Sequence, residues 1–325
     1  MDGSWKKINV SLNKNAENGT STDMLVITGY HVFIGIVFVL ISLIGIIGNS
    51  LVLVVVKKKT AMRTTTNFLL ANLATADLVS LLGLLPKVFH SFVNHRDPDR
   101  VVQYICMFLT AGNVSVIALG VSIITLAILA FERYMALLKP MREKWRLNKE
   151  NVKYAIIGSW MLSIGITFPY FLRTTYSQTH KGCVHIWASH TEQLIYLTTI
   201  FIFMFIMPYL MIIFGYFSII KGIYFSNQIC PMDTGNTEAD SRSKKRVVEV
   251  LLIVTLSFST CVGTFALVNM LKELGIVDGN SVVFHLASAL LFANSSINPI
   301  IYAFRSSNYK TAFREIIKGS ISVQA

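Results

Sequence analysis

Long stretches without charged residues alternate along the chain with short polar segments. The first stretch, Tyr30–Val56, runs through 27 positions without Asp, Glu, Lys or Arg. A helix needs roughly 20 apolar residues to cross the hydrocarbon core of a bilayer, so this stretch predicts a transmembrane helix. Similar stretches predict seven spans in all, at approximately 30–56, 65–92, 102–131, 152–172, 193–220, 247–271 and 280–304.

The composition agrees with this pattern. Of the 325 residues, 53% are hydrophobic and 14% are charged, whereas soluble domains contain about 25% charged residues. A soluble protein and a disordered chain are therefore excluded. The predicted fold class is an all-α membrane protein, a seven-transmembrane helix bundle with a short amphipathic helix after the seventh span.

Basic residues concentrate on one side of the predicted membrane. Segments 57–64, 132–153, 221–249 and 305–325 hold 20 of the 29 Lys and Arg residues. Because cytoplasmic loops carry an excess of Lys and Arg, we expect these segments to be cytoplasmic. Topology then accounts for the net charge of +12, and no nucleic-acid partner is expected. The predicted regions are an extracellular tail (1–29), the bundle (30–304) and a cytoplasmic amphipathic helix and tail (305–325).

Two features are expected on the outer side. Asn9 and Asn18 begin Asn-X-Ser/Thr triplets in the N-terminal tail, which predicts glycosylation there. Cys106 and Cys183 both fall on the predicted oxidising side, which favours a disulfide between them. Two free thiols are the alternative.

Several polar residues lie inside the predicted spans. Insertion of a carboxyl such as Asp77 costs about 2.5–3.5 kcal/mol, so we expect it to face the bundle interior and to have partners. A cluster of oxygen ligands around one carboxylate would suit a hard cation, and a hydrogen-bonded Asp without an ion is the alternative. Other polar residues of the spans are Ser122, Asn294, Ser295 and Asn298. At the end of span three, Glu132 and Arg133 are expected to form a charge-assisted pair.

Together these residues resemble the rhodopsin-like (class A) G-protein-coupled receptors, from about residue 30 to residue 318. The matching positions are Asn49 in GNSLV, Asp77 in LATADL, Arg133 in ERY, Trp160, Pro208, Tyr216, and Asn298, Pro299 and Tyr302 in NPIIY. The resemblance implies a non-enzymatic receptor in the plasma membrane. Its implied partners are an extracellular ligand, a heterotrimeric G-protein, arrestin, a receptor kinase and membrane lipids.

The resemblance also implies roles for single residues. Those of the activation switch are Glu132, Arg133, Tyr134, Tyr216, Asn298, Pro299 and Tyr302. A polar set around Asp77 is similar to the family's allosteric sodium pocket, and no other cofactor is expected. Its members are Asp77, Ser122, Asn294, Ser295 and Asn298. Two departures stand out: span six has Val262 and Thr264 where the family usually has Trp and Pro, and Cys106 lies two residues further from Arg133 than usual.

The sequence says less about the ligand than about the receptor class. Phe292 replaces the lysine that binds retinal in opsins, and Ser115 replaces the aspartate of amine receptors. The remaining candidate ligand-binding residues are Ser115, Val116, Leu119, Phe265, Asn269, His285 and Ser288. They are compatible with a peptide, which we favour, or with a lipid or small neutral molecule.

Two further hypotheses remain at this point. All seven histidines fall on the predicted outer side, which suggests a proton-modulated receptor; incidental placement is the simpler reading. They are His31, His90, His95, His180, His185, His190 and His285. A transporter or channel would need embedded charges on several spans or broken helices, and only Asp77 qualifies.

Overall fold

A computed structural model describes residues 32–90, 100–139, 141–142, 146–179, 182–224, 238–279 and 281–319, without the side chains of 84–90, 109–110, 223–224, 238–245 and 273. The predicted tail with Asn9 and Asn18 lies outside the described residues. So do His31, His95, His180 and the side chain of His90.

The described chain is helical almost throughout. The elements are α1 (Val32–Lys58), α2 (Thr65–His90), α3 (Arg100–Ile105), α4 (Asn113–Leu138), α5 (Val152–Arg173), β1 (Thr174–Ser177), β2 (Gly182–His185), α6 (His190–Ile200), α7 (Met207–Tyr224), α8 (Glu238–Glu273), α9 (Val282–Arg305) and α10 (Ser307–Ile317). π-helical turns, Cys106–Thr110 and Phe201–Ile206, join α3 to α4 and α6 to α7. Within the described residues, seven spans are long and apolar enough to cross a membrane, which confirms the predicted number.

Contacts divide the chain into two units, residues 1–41 and 42–325. The described part of the first unit is residues 32–41, the beginning of α1. The second unit contains all the other elements, packed as a helix bundle. One end of this second unit is the Arg133 end, where α4 finishes. The opposite end is the disulfide end, where Cys106 lies.

The third span was predicted too short: it continues to Leu138 rather than ending at residue 131. The sixth apolar span, Arg246–Lys272, agrees with the predicted 247–271, and the helix α8 that contains it begins earlier, at Glu238. The prediction for span three stopped at the first charged residues. A helix can carry charges past the apolar core when they are paired, as Glu132 and Arg133 are here.

The predicted disulfide between Cys106 and Cys183 is present, with 5.5 Å between the Cα atoms. Span three is irregular at this point, with the π-helical turn Cys106–Thr110 followed by Gly112 at φ 84°. A π-helical turn holds more residues than an α-helical one, which accommodates the longer spacing from Cys106 to Arg133. Only glycine adopts such a positive φ without steric cost.

The loop after α5 forms an antiparallel hairpin that the sequence did not predict, with Tyr176 opposite Cys183. Side chains of span three form hydrogen bonds with this hairpin. Gln103 Nε2 donates to the carbonyl oxygen of Thr174 at 2.7 Å, and Asn113 Nδ2 donates to Thr174 Oγ1 at 2.9 Å. The disulfide and these hydrogen bonds fix the hairpin against the disulfide end.

A polar network joins three spans inside the bundle. Asn72 on α2 is 5% exposed; its Nδ2 donates to Thr125 Oγ1 at 2.8 Å, and its Oδ1 accepts from Trp160 Nε1 at 2.9 Å. Buried polar groups left unpaired cost about 1–3 kcal/mol each. This network therefore fixes how α2, α4 and α5 face one another.

The amphipathic helix predicted after span seven is α10. Tyr309 and Phe313 are buried against the bundle, while Ile317 is 73% exposed. Some apolar side chains of α10 therefore pack against the bundle, while others are exposed, so they do not form a single buried face. An ion pair between Lys59 and Glu315 ties α10 to the turn after α1.

Candidate functional site

Arg133 is held by two partners at the end of α4. Its Nε and one Nη contact the two carboxylate oxygens of Glu132 at 2.5 and 2.6 Å, and an Nη donates to Thr66 Oγ1 at 2.6 Å. The Glu132 side chain is 5% exposed and that of Arg133 19%. A bidentate, partly desolvated pair of this kind is strong. Sequence reasoning predicted the pair but missed Thr66, whose only signal is the polar run Thr64–Asn67 at the start of α2.

Arg133 forms part of the wall of a cavity of about 320 Å³ at the Arg133 end. Residues of α2, α8, α9 and α10 complete the wall, among them Thr66, Arg246 and Tyr302. None of the described lining residues is acidic, and α8 contributes Arg246 to the cavity wall. The cavity therefore suits a partner that brings backbone carbonyls or carboxylates to two guanidinium groups.

The tyrosines assigned to the switch lie at the same end. Tyr302 is 1% exposed, and its hydroxyl has no hydrogen-bond partner among the described residues. Its ring stacks on Tyr309 at 5.3 Å. Tyr216 makes one long contact, 3.4 Å from its hydroxyl to Thr255 Oγ1. Both hydroxyls can gain stronger bonds if the helices move.

Tyr309 is a site residue that sequence analysis did not identify. Its hydroxyl donates to Asn67 Oδ1 at 3.3 Å, and burial raises its pKa above the ordinary value for tyrosine. The side chain of Asn67 in turn donates to the carbonyl oxygen of Met62 at 2.9 Å. The lining of the cavity is thus connected from α10 back to the turn after α1.

Two members of the predicted polar set, Asn298 and Ser295, contact Asp77 inside the bundle. Asn298 Nδ2 donates to Asp77 Oδ2 at 2.7 Å, and Asp77 is 1% exposed. Ser122, Asn294 and Ser295 are also buried. The neighbouring Asn49 Nδ2 donates to the carbonyl oxygens of Ser295 and Gly45 at 2.7 and 2.9 Å, which links α1 to α9.

The residues of this set fit a hard monovalent cation. Oδ1 of Asn294 and Oδ1 of Asn298 are buried without a hydrogen-bond donor among the described residues. Amide oxygens and a carboxylate are the kinds of ligand that such ions prefer. Among the described residues no cluster of His, Cys, Asp and Glu would hold a transition metal.

Span six is continuous despite the residues that replace Trp and Pro. Val262 is 1% exposed and packs in the core, and nothing lies within 4 Å of the space that a Cβ on Gly263 would fill. Thr264 Oγ1 donates to the carbonyl oxygen of Thr260 at 2.7 Å. Such hydrogen bonds to the preceding turn often bend helices, so they offer a bending point without proline.

The candidate ligand-binding residues are all partly exposed, and none belongs to the buried core. The ring of Phe265 lies 6.2 Å from that of Phe284 between centroids, which joins span six to span seven. His285, next to Phe284 on span seven, lies 6.3 Å from the same ring. Ser115 Oγ donates to the carbonyl oxygen of Ser80 at 3.3 Å, so the hydroxyl proton of Ser115 is used in a contact with α2.

Sequence analysis missed an aromatic cluster at the disulfide end. The ring of Tyr170 lies 4.6 Å from His185, 6.1 Å from Trp187 and 5.2 Å from Tyr196. An ion pair between Arg173 and Glu192 closes its edge. The members come from α5, the hairpin and α6, so no periodicity in the sequence connects them.

His185 differs from the exposed His190. Its Nδ1 lies 3.2 Å from Thr174 Oγ1, and burial among the aromatic rings lowers its pKa below 6.5, although a backbone hydrogen bond to Tyr170 acts in the opposite direction. The proton-modulation hypothesis treated the histidines of this loop alike. The structure instead makes His185 a packed, neutral side chain at neutral pH.

The sequence and fold were compared with known proteins. The family model described as 7 transmembrane receptor (rhodopsin family) matches residues 48–302. The allatostatin-A receptor of Bombyx mori is 26% identical over 95% of this chain and 85% of its own length. The galanin receptor type 1 of Rattus norvegicus is 28% identical, over 87% and 81%. The pyroglutamylated RF-amide peptide receptor of Mus musculus is 28% identical, over 84% and 67%.

Among solved structures, squid rhodopsin is similar with a TM-score of 0.73, at 19% identity over 90% of this chain and 87% of that one. At this identity the likeness concerns the fold alone.

Protonation of His185 should destabilise the hairpin. Because its folded-state pKa is lowered, its contribution to stability is complete above about pH 6.5 and is lost as the pH falls through the folded-state value. Lowering the pH from about 7.5 to about 5.5 should therefore lower the thermal unfolding temperature, measured in detergent. His185→Phe keeps a ring against Tyr170 and should reduce this drop; His190→Phe is the matched control. Equal drops in both variants would contradict the assignment.

Proposed function

The chain belongs to the rhodopsin family of seven-transmembrane receptors, and on this basis we propose that it passes the signal of an extracellular peptide to the cell interior. Members of the family are non-enzymatic receptors that couple to G-proteins. The transporter, channel and enzyme alternatives therefore no longer apply. What remains to be proposed is its orientation, its ligand and the residues that act.

The proposed orientation places the Arg133 end in the cytoplasm and the disulfide end outside, in the plasma membrane. The excess of Lys and Arg in the segments at the Arg133 end supports this orientation, as does the disulfide at the other end. Residues 1–29, with Asn9 and Asn18, are then a glycosylated extracellular tail. Residues 30–304 form the bundle, and residues 305–325 form a cytoplasmic helix and tail.

The arrangement around Arg133 carries the proposed switch. With Glu132 and Thr66 as partners, the guanidinium is occupied and a bound G-protein could not use it. Outward movement of α8, which carries Arg246 in the cavity wall, would enlarge the cavity, so that a G-protein could replace Glu132 and Thr66 as the partner of Arg133. Tyr302 and Tyr216, whose hydroxyls are unpaired or weakly paired, would then gain partners.

Other switch residues connect this movement to neighbouring spans. The ring of Tyr134 lies 5.4 Å from Phe214 on α7, so α4 and α7 are in contact beside Arg133. Pro299 removes one backbone hydrogen bond of α9 next to Asn298, which permits a local change of helix geometry. By family membership we propose arrestin and a receptor kinase as further partners.

The interior polar set is proposed as an allosteric sodium site. Asp77, Ser122, Asn294, Ser295 and Asn298 would hold the ion, which supplies positive charge that balances the Asp77 carboxylate. Asn298 bonds Asp77 and belongs to the same helix as Tyr302. The state of this set is thereby linked to the cavity at the Arg133 end.

A peptide is the proposed ligand. The names of three relatives are those of receptors for allatostatin-A, galanin and a pyroglutamylated RF-amide peptide. Ser115 leaves no counter-ion for an amine, and the aromatic cluster beside the hairpin adds apolar surface at the same end. A lipid or small neutral molecule is the second candidate.

The peptide proposal predicts a response to amidated or pyroglutamylated neuropeptides. Galanin, allatostatin-A and RF-amide peptides should be screened with nucleotide exchange on reconstituted heterotrimeric G-proteins. For an active peptide, Asn269→Ala and His285→Ala should each reduce potency roughly tenfold, equivalent to about 1.4 kcal/mol. Thr260→Ala, exposed on the same span as Asn269, should not. Activation by lipids or neutral metabolites, with none by peptides, would reverse the assignment.

Arg133→Ala should reduce G-protein nucleotide exchange roughly 10- to 100-fold, the equivalent of losing a charge-assisted contact worth about 1.5–3 kcal/mol. Surface expression should stay within about a few-fold, because Arg133 borders the cavity rather than the apolar core. Arg142→Ala, an exposed arginine at the same end, serves as the control. Full exchange activity in the Arg133 variant would remove its assigned role.

Sodium should stabilise the purified receptor through Asp77. Replacing N-methylglucamine chloride by NaCl at about 0.15 M should raise the unfolding temperature, corresponding to about 1–2 kcal/mol if the ion is present at roughly 10 times its Kd. Asp77→Asn keeps the side-chain shape and should abolish the shift. Ser42→Ala, which removes another buried hydroxyl, should retain it. If the parent protein shows no shift, the cluster is purely structural.

A further inference from the structure

A second opening at the Arg133 end is separate from the cavity that Arg133 lines. It is an open groove of about 520 Å³ between the end of α1 and the start of α2. Its lining residues are Leu53, Val56, Lys57, Arg63, Phe68 and Ala71. None of the switch, sodium or ligand-binding residues borders it.

The groove is apolar along its length and cationic at its mouth. Lys57 is in the last turn of α1, and Arg63 lies two residues before α2, so both lie where the apolar spans end. At a rise of 1.5 Å per residue, Leu53 lies about 6 Å deeper than Lys57, and Ala71 about 9 Å deeper than the start of α2. The apolar walls therefore reach several methylene groups into the hydrocarbon region.

The two cations are available to an anion. Neither has an acidic partner among the described residues, in contrast to Lys59 nearby, which is paired with Glu315. Arg63 uses one Nη to donate to the carbonyl oxygen of Lys57 at 2.6 Å. A guanidinium has five N–H donors, so the remaining donors of Arg63 can bind phosphate while this bond keeps the side chain beside Lys57.

We propose that this groove binds an anionic phospholipid, with one acyl chain against Leu53, Phe68 and Ala71 and the phosphate between Lys57 and Arg63. Charge complementarity identifies the occupant, because basic sites between transmembrane helices at the membrane surface attract anionic head groups. A sterol would leave both cations without a counter-ion. A soluble phosphate would leave the apolar wall uncovered. The described lining of the groove belongs to α1, α2 and the turn between them, not to α10.

The test uses the full chain, purified and titrated with phosphatidylserine or phosphatidylcholine, with bound lipid counted by native mass spectrometry. The parent protein should retain one phosphatidylserine in preference to phosphatidylcholine. Lys57→Gln leaves the backbone carbonyl that Arg63 contacts, and should weaken phosphatidylserine binding about fivefold. Lys58→Gln is the matched control: the same charge is lost one residue away, outside the groove lining, and binding should change less than about twofold.

A second variant tests the acyl chain without changing charge. Ala71→Phe fills the groove and should weaken phosphatidylserine binding at least about fivefold, whereas Ala71→Ser should keep the groove open. At about 0.8 kcal/mol per buried CH₂, a fivefold loss corresponds to displacing little more than one methylene group. Helix content by circular dichroism verifies that each variant is folded. Lipid retention is independent of signalling and of membrane orientation, so the outcome does not depend on the proposed function.

Four outcomes would overturn the proposal. One is equal retention of the two lipids by the parent protein, and another is equal loss in the Lys57 and Lys58 variants. The third is binding of soluble glycerophosphoserine as tightly as the lipid, which would make the groove a simple anion site. Unchanged binding in Ala71→Phe would likewise exclude the acyl chain from the groove.

Discussion

Polar groups inside a membrane must find partners within the protein, because the hydrocarbon core offers none. The bundle depends on how this chain meets that requirement. Asn72 joins α2, α4 and α5, with Trp160 and Thr125 as partners. Asn49 joins α1 to α9 through backbone carbonyls of both helices. Asp77 and Asn298 join α2 to α9. Apart from the Asn49–Gly45 hydrogen bond inside α1, each contact crosses a helix interface. The polar residues therefore determine which faces meet, while the apolar residues supply the packing.

The same requirement explains where the molecule can change. Oδ1 of Asn294, Oδ1 of Asn298 and the hydroxyl of Tyr302 are buried on α9 without partners among the described residues. Unpaired buried atoms are costly, so an arrangement that supplies them with ligands or hydrogen bonds is favoured. Ion binding at Asp77 and movement at the Arg133 end are two ways of supplying them. α9 therefore connects the interior polar set to the receptor cavity.

The two ends of the molecule are built by different means. The disulfide end is cross-linked by Cys106–Cys183 and by hydrogen bonds from span three to the hairpin. The Arg133 end relies on separable ion pairs, including Arg133 with Glu132 and the exposed Arg305 with Glu249. Exposed pairs contribute about 0–1 kcal/mol each. A receptor with one cross-linked end and one readily rearranged end suits signalling across a membrane. At the second end, the proposed groove would add contacts that depend on the lipid composition of the membrane.

The sequence by itself determined the seven spans, the cysteine pairing and the positions of Arg133 and Asp77. Apolar length and embedded charge are local properties, and an embedded charge is too costly to be accidental. Only the tertiary structure decided that Thr66 would hold Arg133, that Tyr309 would stack on Tyr302 and that His185 would be packed among Tyr170, Trp187 and Tyr196. These contacts join residues from separate helices and loops. Their distances depend on how the helices pack, and no spacing along one segment encodes that packing.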